Sequence, residues 1–252
     1  MEDRVTQGGL IERLTLFFGD VSTRQGVLAR AALGSPRGEN ELVSQLVAVL
    51  EAEIRADGTV GGAVVPTIWR VHELLDLGRS GQDPAVGRAM SWVLGLQGKP
   101  GAFGEGCDKP RHAQRICEHY VRGFFAPGPP EQRLAPITLP NGKVFRAEPA
   151  ARFAISCLAL RAALRTGHQA RSAVQQHVTS LVGLADQWTG WNGYFAPDVI
   201  VAGMHALALA RPGPQSMVGP LVKLIGEHQS ADGTWPNADL FHVLEGLLAT
   251  RH

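Results

Sequence analysis

With 252 residues, 44% of them hydrophobic, the chain is long enough to bury one substantial core, and nothing in its composition forces two. Lysine plus arginine number 24 against 23 for aspartate plus glutamate, so neither nucleic acid nor an anionic membrane surface is expected as a partner. Three cysteines argue against a secreted disulfide framework and for a cytoplasmic protein.

The opening stretch MEDRVTQGGLIERL is charged and has no apolar segment that would serve as a signal peptide. Leu42, Leu46, Val49 and Leu50 then recur at helical spacing with charge opposite, which predicts an amphipathic helix running into IRADGTV (54–60). GTVGG (58–62) lacks the lysine and strand context of a phosphate loop and reads as a turn. After it, PTIWRVHELL (66–75) carries Trp69 and His72 on a helical pattern.

Residues 97–103, QGKPGAF, open a stretch rich in chemistry: Phe103, Glu105, Cys107, His112, Arg115, Cys117 and His119 all fall before residue 120. Zinc takes four ligands in tetrahedral array. On a helix starting near residue 109, His112 and His119 share a face but stand about 10.5 Å apart at 1.5 Å per residue. Cys117 projects about 140° away from His112. A self-contained zinc knuckle is therefore not expected. Three readings stay open: a composite site joining Cys107 and His112 to a distant histidine, a reactive thiol beside histidine, and small buried thiols at a helix start.

Residues 126–147 are too proline-rich for a helix, and ITLPNGKVF predicts a β-hairpin around Asn141-Gly142. FAISCLALRAAL (153–164), headed by Phe153, is apolar nearly all round and predicts a helix enclosed by others, as does VIVAGMHALALA (199–210). The latter is too short to span a bilayer. Between them, Val174, Val178, Leu181, Val182 and Ala185 predict another amphipathic helix. It runs towards TGWNGYF (189–195), with its Tyr194.

QSADGTW (229–235) closes the series. With IRADGTV, QGKPGAF and TGWNGYF it defines a degenerate repeat whose glycines fall at 58, 101, 193 and 233, with gaps of 43, 92 and 40 residues. Amphipathic helices precede these glycines and enclosed helices follow them. That alternation describes a double-layered ring of about six helical hairpins within a single domain, 1–252.

QSADGTW resembles the QW motif of squalene–hopene and oxidosqualene cyclases. The helix–turn–helix period is similar to the α/α toroid shared by those terpene cyclases and protein prenyltransferase β subunits. The resemblance implies an all-α toroid around an apolar cavity that takes an isoprenoid-like or other hydrophobic small molecule. GAFGEGCDK (101–109) resembles the turn before the prenyltransferase zinc helix, but the family's Asp-x-Cys pair falls on His112 and Gln114. ADLFHVLEGLL (238–248) resembles the family's helix carrying the third zinc ligand, with Asp239 and His242 in the matching places. The cyclases' Asp-x-Asp-Asp acid motif is absent, and the chain is only 6% aromatic.

The resemblance and the residues together name the candidates. Glu105, His112, His205 and Asp239 are candidates for acid–base work; Cys107, His112 and His242 form a composite zinc set. Trp69, His72, Phe103, Arg115, His119, Phe153, Tyr194 and Phe241 are expected to line the cavity. His72, His205 and His242 stand at comparable places after repeat glycines, which predicts a shared polar spot. His205, alone among apolar neighbours, should have a partner. The carboxylates have a plainer reading as helix caps. A non-catalytic toroid that binds a hydrophobic ligand or a protein partner is the alternative function, and the oligomeric state is open.

Overall fold

The structure is a computed structural model that describes residues 7–34, 40–96, 134–139, 141–186, 188, 190–191, 197–210 and 215–250. Among these residues it is all-α apart from one small β-hairpin. The elements in order are α1 (Gln7–Phe18), α2 (Arg24–Ala32), α3 (Asn40–Ala52), α4 (Val64–Asp76), α5 (Pro84–Gly95), β1 (Ile137–Thr138) and β2 (Val144–Phe145). They continue with α6 (Glu148–Arg165), α7 (Ser172–Ala185), α8 (Pro197–Leu209), α9 (Gln215–Glu227) and α10 (Leu240–Ala249). The two strands pair antiparallel, Ile137 with Phe145 and Thr138 with Val144, around the expected Asn141-Gly142 turn.

From α3 onward the helices alternate between two layers. In the inner layer α4 packs on α6, α6 on α8 and α8 on α10. In the outer layer α3 and α5 back α4, α7 backs α6 and α8, and α9 backs α8. Burial follows the hydrophobic pattern. Every residue of α8 from Pro197 to Ala208 is buried, and so is 151–160 of α6. Each such Val, Ile or Leu contributes about 1.5–3 kcal/mol by leaving water. The outer helix α3 buries only Val47 fully. The inner helix α10 departs from its enclosed pattern: His242, Val243 and Gly246 are buried, but Phe241, Leu244 and Leu248 on its other side are exposed.

The repeat is visible in hydrogen bonds as well as in sequence. In the turn between α3 and α4, Thr59 N and Oγ1 both donate to Asp57 Oδ1 (2.9 and 2.8 Å), and Arg55 N donates to Thr59 O (2.9 Å). The turn between α9 and α10 repeats this: Thr234 N and Oγ1 donate to Asp232 Oδ1 (3.0 and 2.7 Å), and Ser230 N donates to Thr234 O (2.8 Å). Gly58 and Gly233 sit at the same place in both turns with φ of +88° and +84°, a left-handed conformation that side chains with a Cβ resist.

Two tryptophans brace the C-terminal hairpins. Trp235 Nε1 donates back to the Ile225 carbonyl of α9 (2.8 Å). Trp191, from the previous repeat, donates to the Pro236 carbonyl (2.9 Å) and stacks on His228 with centroids 5.5 Å apart. No helix among the described residues is long and apolar enough to cross a membrane.

Candidate functional site

The inner layer puts one polar line through an otherwise apolar interior. Trp69, His72 and Asp76 lie at i, i+3 and i+7 on α4; Cys157, Arg161 and Arg165 at i, i+4 and i+8 on α6; Asp198 and His205 seven apart on α8; His242 and Glu245 three apart on α10. These spacings put each set on one face of its helix. Arg161 on α6 pairs with Glu245 on α10 (2.8 Å), so the two neighbours of α8 meet on one side of it. Arg161, His72, His242 and Arg165 are the charged and titratable groups that bear on His205 electrostatically. His72, His205 and His242, expected to share a polar spot, are all buried on inner helices.

At the α4 end both ring nitrogens of His72 are engaged, while Arg24 Nε lies 3.5 Å from Glu73 without a hydrogen bond. Arg165 Nη1 donates to His72 Nδ1 (3.0 Å), which leaves the proton on Nε2 to be donated to the Leu158 carbonyl (3.1 Å). Arg165 Nη2 also pairs with Asp76 (2.7 Å), which in turn receives Arg24 (2.7 Å). The Arg24 guanidinium lies over the Trp69 ring, 5.5 Å from its centroid, and Trp69 stands 6.0 Å from the His72 ring. Burial pushes His72 well below the usual histidine range, and Arg161 and Arg165 add to the shift. The imidazole is neutral, in keeping with its bonding.

The hairpin closes the α8–α10 end. Lys143 pairs with Asp198, which is 6% exposed in the first turn of α8. Asn141 Nδ2 donates to Glu245 (3.1 Å) and approaches His242 Nδ1 (3.4 Å). His242 Nε2 donates to the Asp198 carbonyl (3.2 Å), and Phe145 sits edge-on to the His242 ring at 6.1 Å. His242 thus has the same tautomer as His72. Burial lowers its pKa, while Asp198 and Glu245 oppose the shift. The hairpin tip is a plug over the polar line.

His205 stands between these two ends. It is 6% exposed, and its Nδ1 is buried with no hydrogen-bond partner. Burial holds its pKa well below the usual range, with Arg161 and the flanking histidines contributing. Arg161 shares the condition: Nη2 is bound to Glu245, but its buried Nε has no partner. Leaving such atoms unpaired costs about 1–3 kcal/mol each, more for a charged group. Two inner helices packed on each other, α6 and α8, therefore each carry a buried unsatisfied polar atom.

Other candidates take plainer places. Asp239 caps α10, its carboxylate accepting from the His242 amide (2.9 Å). Phe153 is wholly buried, edge-on to Trp188 with centroids 6.2 Å apart. Phe241 is 68% exposed, turned about 100° round α10 from His242, and does not join the polar line. Phe103, Glu105, Cys107, His112, Arg115, His119 and Tyr194 lie outside the described residues. Of the composite zinc set only His242 is described. Both of its ring nitrogens are engaged, so in this arrangement it presents no free lone pair to an ion. Among the described residues, no group of three or more His, Cys, Asp or Glu side chains could hold a metal.

Sequence reasoning missed Arg161, Arg165, Glu245, Asn141 and Lys143. Arg161 had the same signal that singled out His205, a charged residue inside a run apolar on every side. Cys157 is buried, and burial pushes its thiol far above the ordinary range, so it is inert as a nucleophile. No protein-family model, curated protein or solved structure matches this chain.

Proposed function

We propose that the chain is an enzyme of the α/α-toroid kind, related in plan to terpene cyclases and prenyltransferases. Its ligand is an isoprenoid-like hydrophobic molecule with an oxygen-bearing head. The observation that carries this reading is the pair of orphaned buried atoms, Arg161 Nε and His205 Nδ1. A ligand oxygen reached by both would receive the Arg161 proton and exchange a hydrogen bond with the imidazole. A hydroxyl suits either tautomer of His205, because it can accept from one partner and donate to or accept from the other. With His205 held neutral, a lone pair on Nδ1 can accept a hydrogen bond from the hydroxyl.

Charge favours a neutral head over a diphosphate. The cations along the line are already matched: Arg165 with Asp76, Arg24 with Asp76 and Glu73, Arg161 with Glu245, Lys143 with Asp198. An added anion would be buried without compensation. The same pairing favours a second reading, a non-catalytic toroid that holds a hydrophobic ligand, because none of these carboxylates is left free to act as the acid.

The test is calorimetric titration of the full chain with farnesol and with farnesyl diphosphate, followed by gas chromatography–mass spectrometry of the incubated mixtures. Farnesol should bind, the diphosphate at least tenfold more weakly, and His205→Leu should weaken farnesol at least tenfold. A new product would establish the enzyme; retention without product would establish the binder. Binding of the diphosphate alone, or of neither, would remove the head-group assignment.

A further inference from the structure

Glu245 joins the buried arginine of α6 to the hairpin. Its Oε1 accepts from Arg161 Nη2 (2.8 Å) and its Oε2 accepts from Asn141 Nδ2 (3.1 Å). One carboxylate thus serves two elements, and turning it to follow one partner misaligns the other bond. The hairpin itself has two parts. Ile137, Leu139 and Phe145 are buried, so its arms are held by apolar packing. The tip, residues 141–143, is less buried and is held by polar bonds, Asn141 to Glu245 and Lys143 to Asp198. Segments held in this way open locally at lower free energy than a packed core. The two holds differ in one respect. The Asn141 bond passes through Glu245 to Arg161, whereas neither Lys143 nor Asp198 bonds to Arg161 among the described residues.

We propose that Glu245 couples the occupancy of Arg161 to the seating of the hairpin tip, so that a ligand oxygen on Arg161 Nε tightens the tip. The proposal rests on the head-group reading for the ligand, but the chain of bonds from Arg161 through Glu245 to Asn141 is present without one. Arg161 Nε is buried and has no partner. A ligand oxygen that fills it adds a second bond to the guanidinium plane, whose other end is bound to Glu245. A fixed guanidinium holds the carboxylate, and the carboxylate holds Asn141. Asn141 Oδ1 accepts from the Lys143 amide (3.1 Å), so the turn moves with that side chain. Such coupling is reciprocal: the factor by which the ligand tightens the tip is the factor by which the seated tip tightens the ligand.

Hydrogen–deuterium exchange of the full chain, read by mass spectrometry on peptides covering 137–145, tests the coupling. Saturating farnesol should slow the hairpin amides at least about fivefold. Asn141→Ser keeps a side-chain oxygen for the Lys143 amide but is too short to reach Glu245. In that variant farnesol should no longer slow the hairpin, and calorimetry should find it bound more weakly by the factor lost. Lys143→Met should speed exchange with and without farnesol and leave the slowing intact. Farnesol that binds without slowing the hairpin would overturn the coupling, as would slowing that survives Asn141→Ser or vanishes equally in Lys143→Met. If farnesol does not bind, the head-group reading falls, and the coupling is read in the free protein. There Arg161→Met should speed hairpin exchange at least about fivefold, with Arg161→Lys, which keeps the charge but lacks the planar fork, as the second variant should the first not fold. Asn141→Ser should add less than about twofold to either, since it cuts the same chain of bonds. Hairpin amides indifferent to Arg161, or effects of the two sites that simply multiply, would overturn it.

Discussion

His72 and His205 are both buried, both on inner helices and both held neutral, yet only one is spoken for. His72 receives Arg165 and gives to the Leu158 carbonyl, so both of its ring nitrogens are satisfied. His205 has an open Nδ1, as Arg161 of the neighbouring inner helix has an open Nε. The difference teaches that a buried histidine is informative only after its bonds have been accounted for. Depressed basicity is common to both and separates nothing; the unfilled bond separates them.

Acid sharpens what the two share, and the effect should be the largest. His72, His205 and His242, and with them His177, wholly buried on α7, all have native pKa values lowered chiefly by burial. In the unfolded chain each titrates near about 6.5. Above that value both states are neutral and stability is complete. Below it the unfolded chain binds more protons than the native protein, so stability falls by up to about 1.4 kcal/mol per pH unit for each histidine. Urea midpoints should therefore drop steeply between about pH 7 and about pH 5. A flat profile would mean that these groups are protonated in the fold.

Substitution separates the pair. His72→Leu strands the Leu158 carbonyl and half-frees Arg165, and should cost about 2–4 kcal/mol. His205→Leu removes an unsatisfied atom and should fall within about 1 kcal/mol of wild type, on either side. Equal losses in urea denaturation would contradict the contrast.

The two Asp-Gly-Thr turns allow the same kind of comparison at smaller scale. A Cβ on Gly58 would stand 2.5 Å from the Arg88 carbonyl oxygen, whereas at Gly233 the nearest atom is the Gln229 amide nitrogen at 4.0 Å. Both alanine variants strain a positive φ at about 1 kcal/mol. Gly58→Ala should cost about 1–3 kcal/mol more for the backbone clash, read as the difference between the two melting curves.

The smallest expected effect concerns the hairpin. Lys143→Met leaves Asp198 without its ammonium partner, although Asp198 still accepts from the Asp239 amide (3.2 Å) and lies at the start of α8. A loss of about 1–2 kcal/mol is expected. Faster amide exchange should be confined to the hairpin and the adjoining ends of α8 and α10. Exchange unchanged there would show that the tip does not anchor the plug.

Much of the layering was legible because it rests on local pattern. The Asp-Gly-Thr cores marked the turns, and the contrast between 174–185 and 199–210 separated outer from inner helices. Asn141-Gly142 announced the hairpin. The three histidines could be assigned to inner helices because repeat spacing carries depth. Pairing was not legible, since Arg161 with Glu245 and Lys143 with Asp198 join residues far apart in the chain. Phe241 shows the limit from the other side. Its neighbourhood to His242 in sequence suggested a shared cavity, but adjacent positions on a helix diverge by about 100°, and the ring is exposed. Helices α1 and α2 precede the repeat and carry none of its turn signals.

The most direct test of the central claim is a long-range proton–nitrogen correlation spectrum of the histidine rings, recorded without and with farnesol. Nδ1 of His205 should change by several parts per million when the ligand is added, with the ring staying neutral, while His72 keeps its shifts. A His205 signal that does not move, or that already matches the fully bonded pattern of His72 before any ligand is present, would contradict the account.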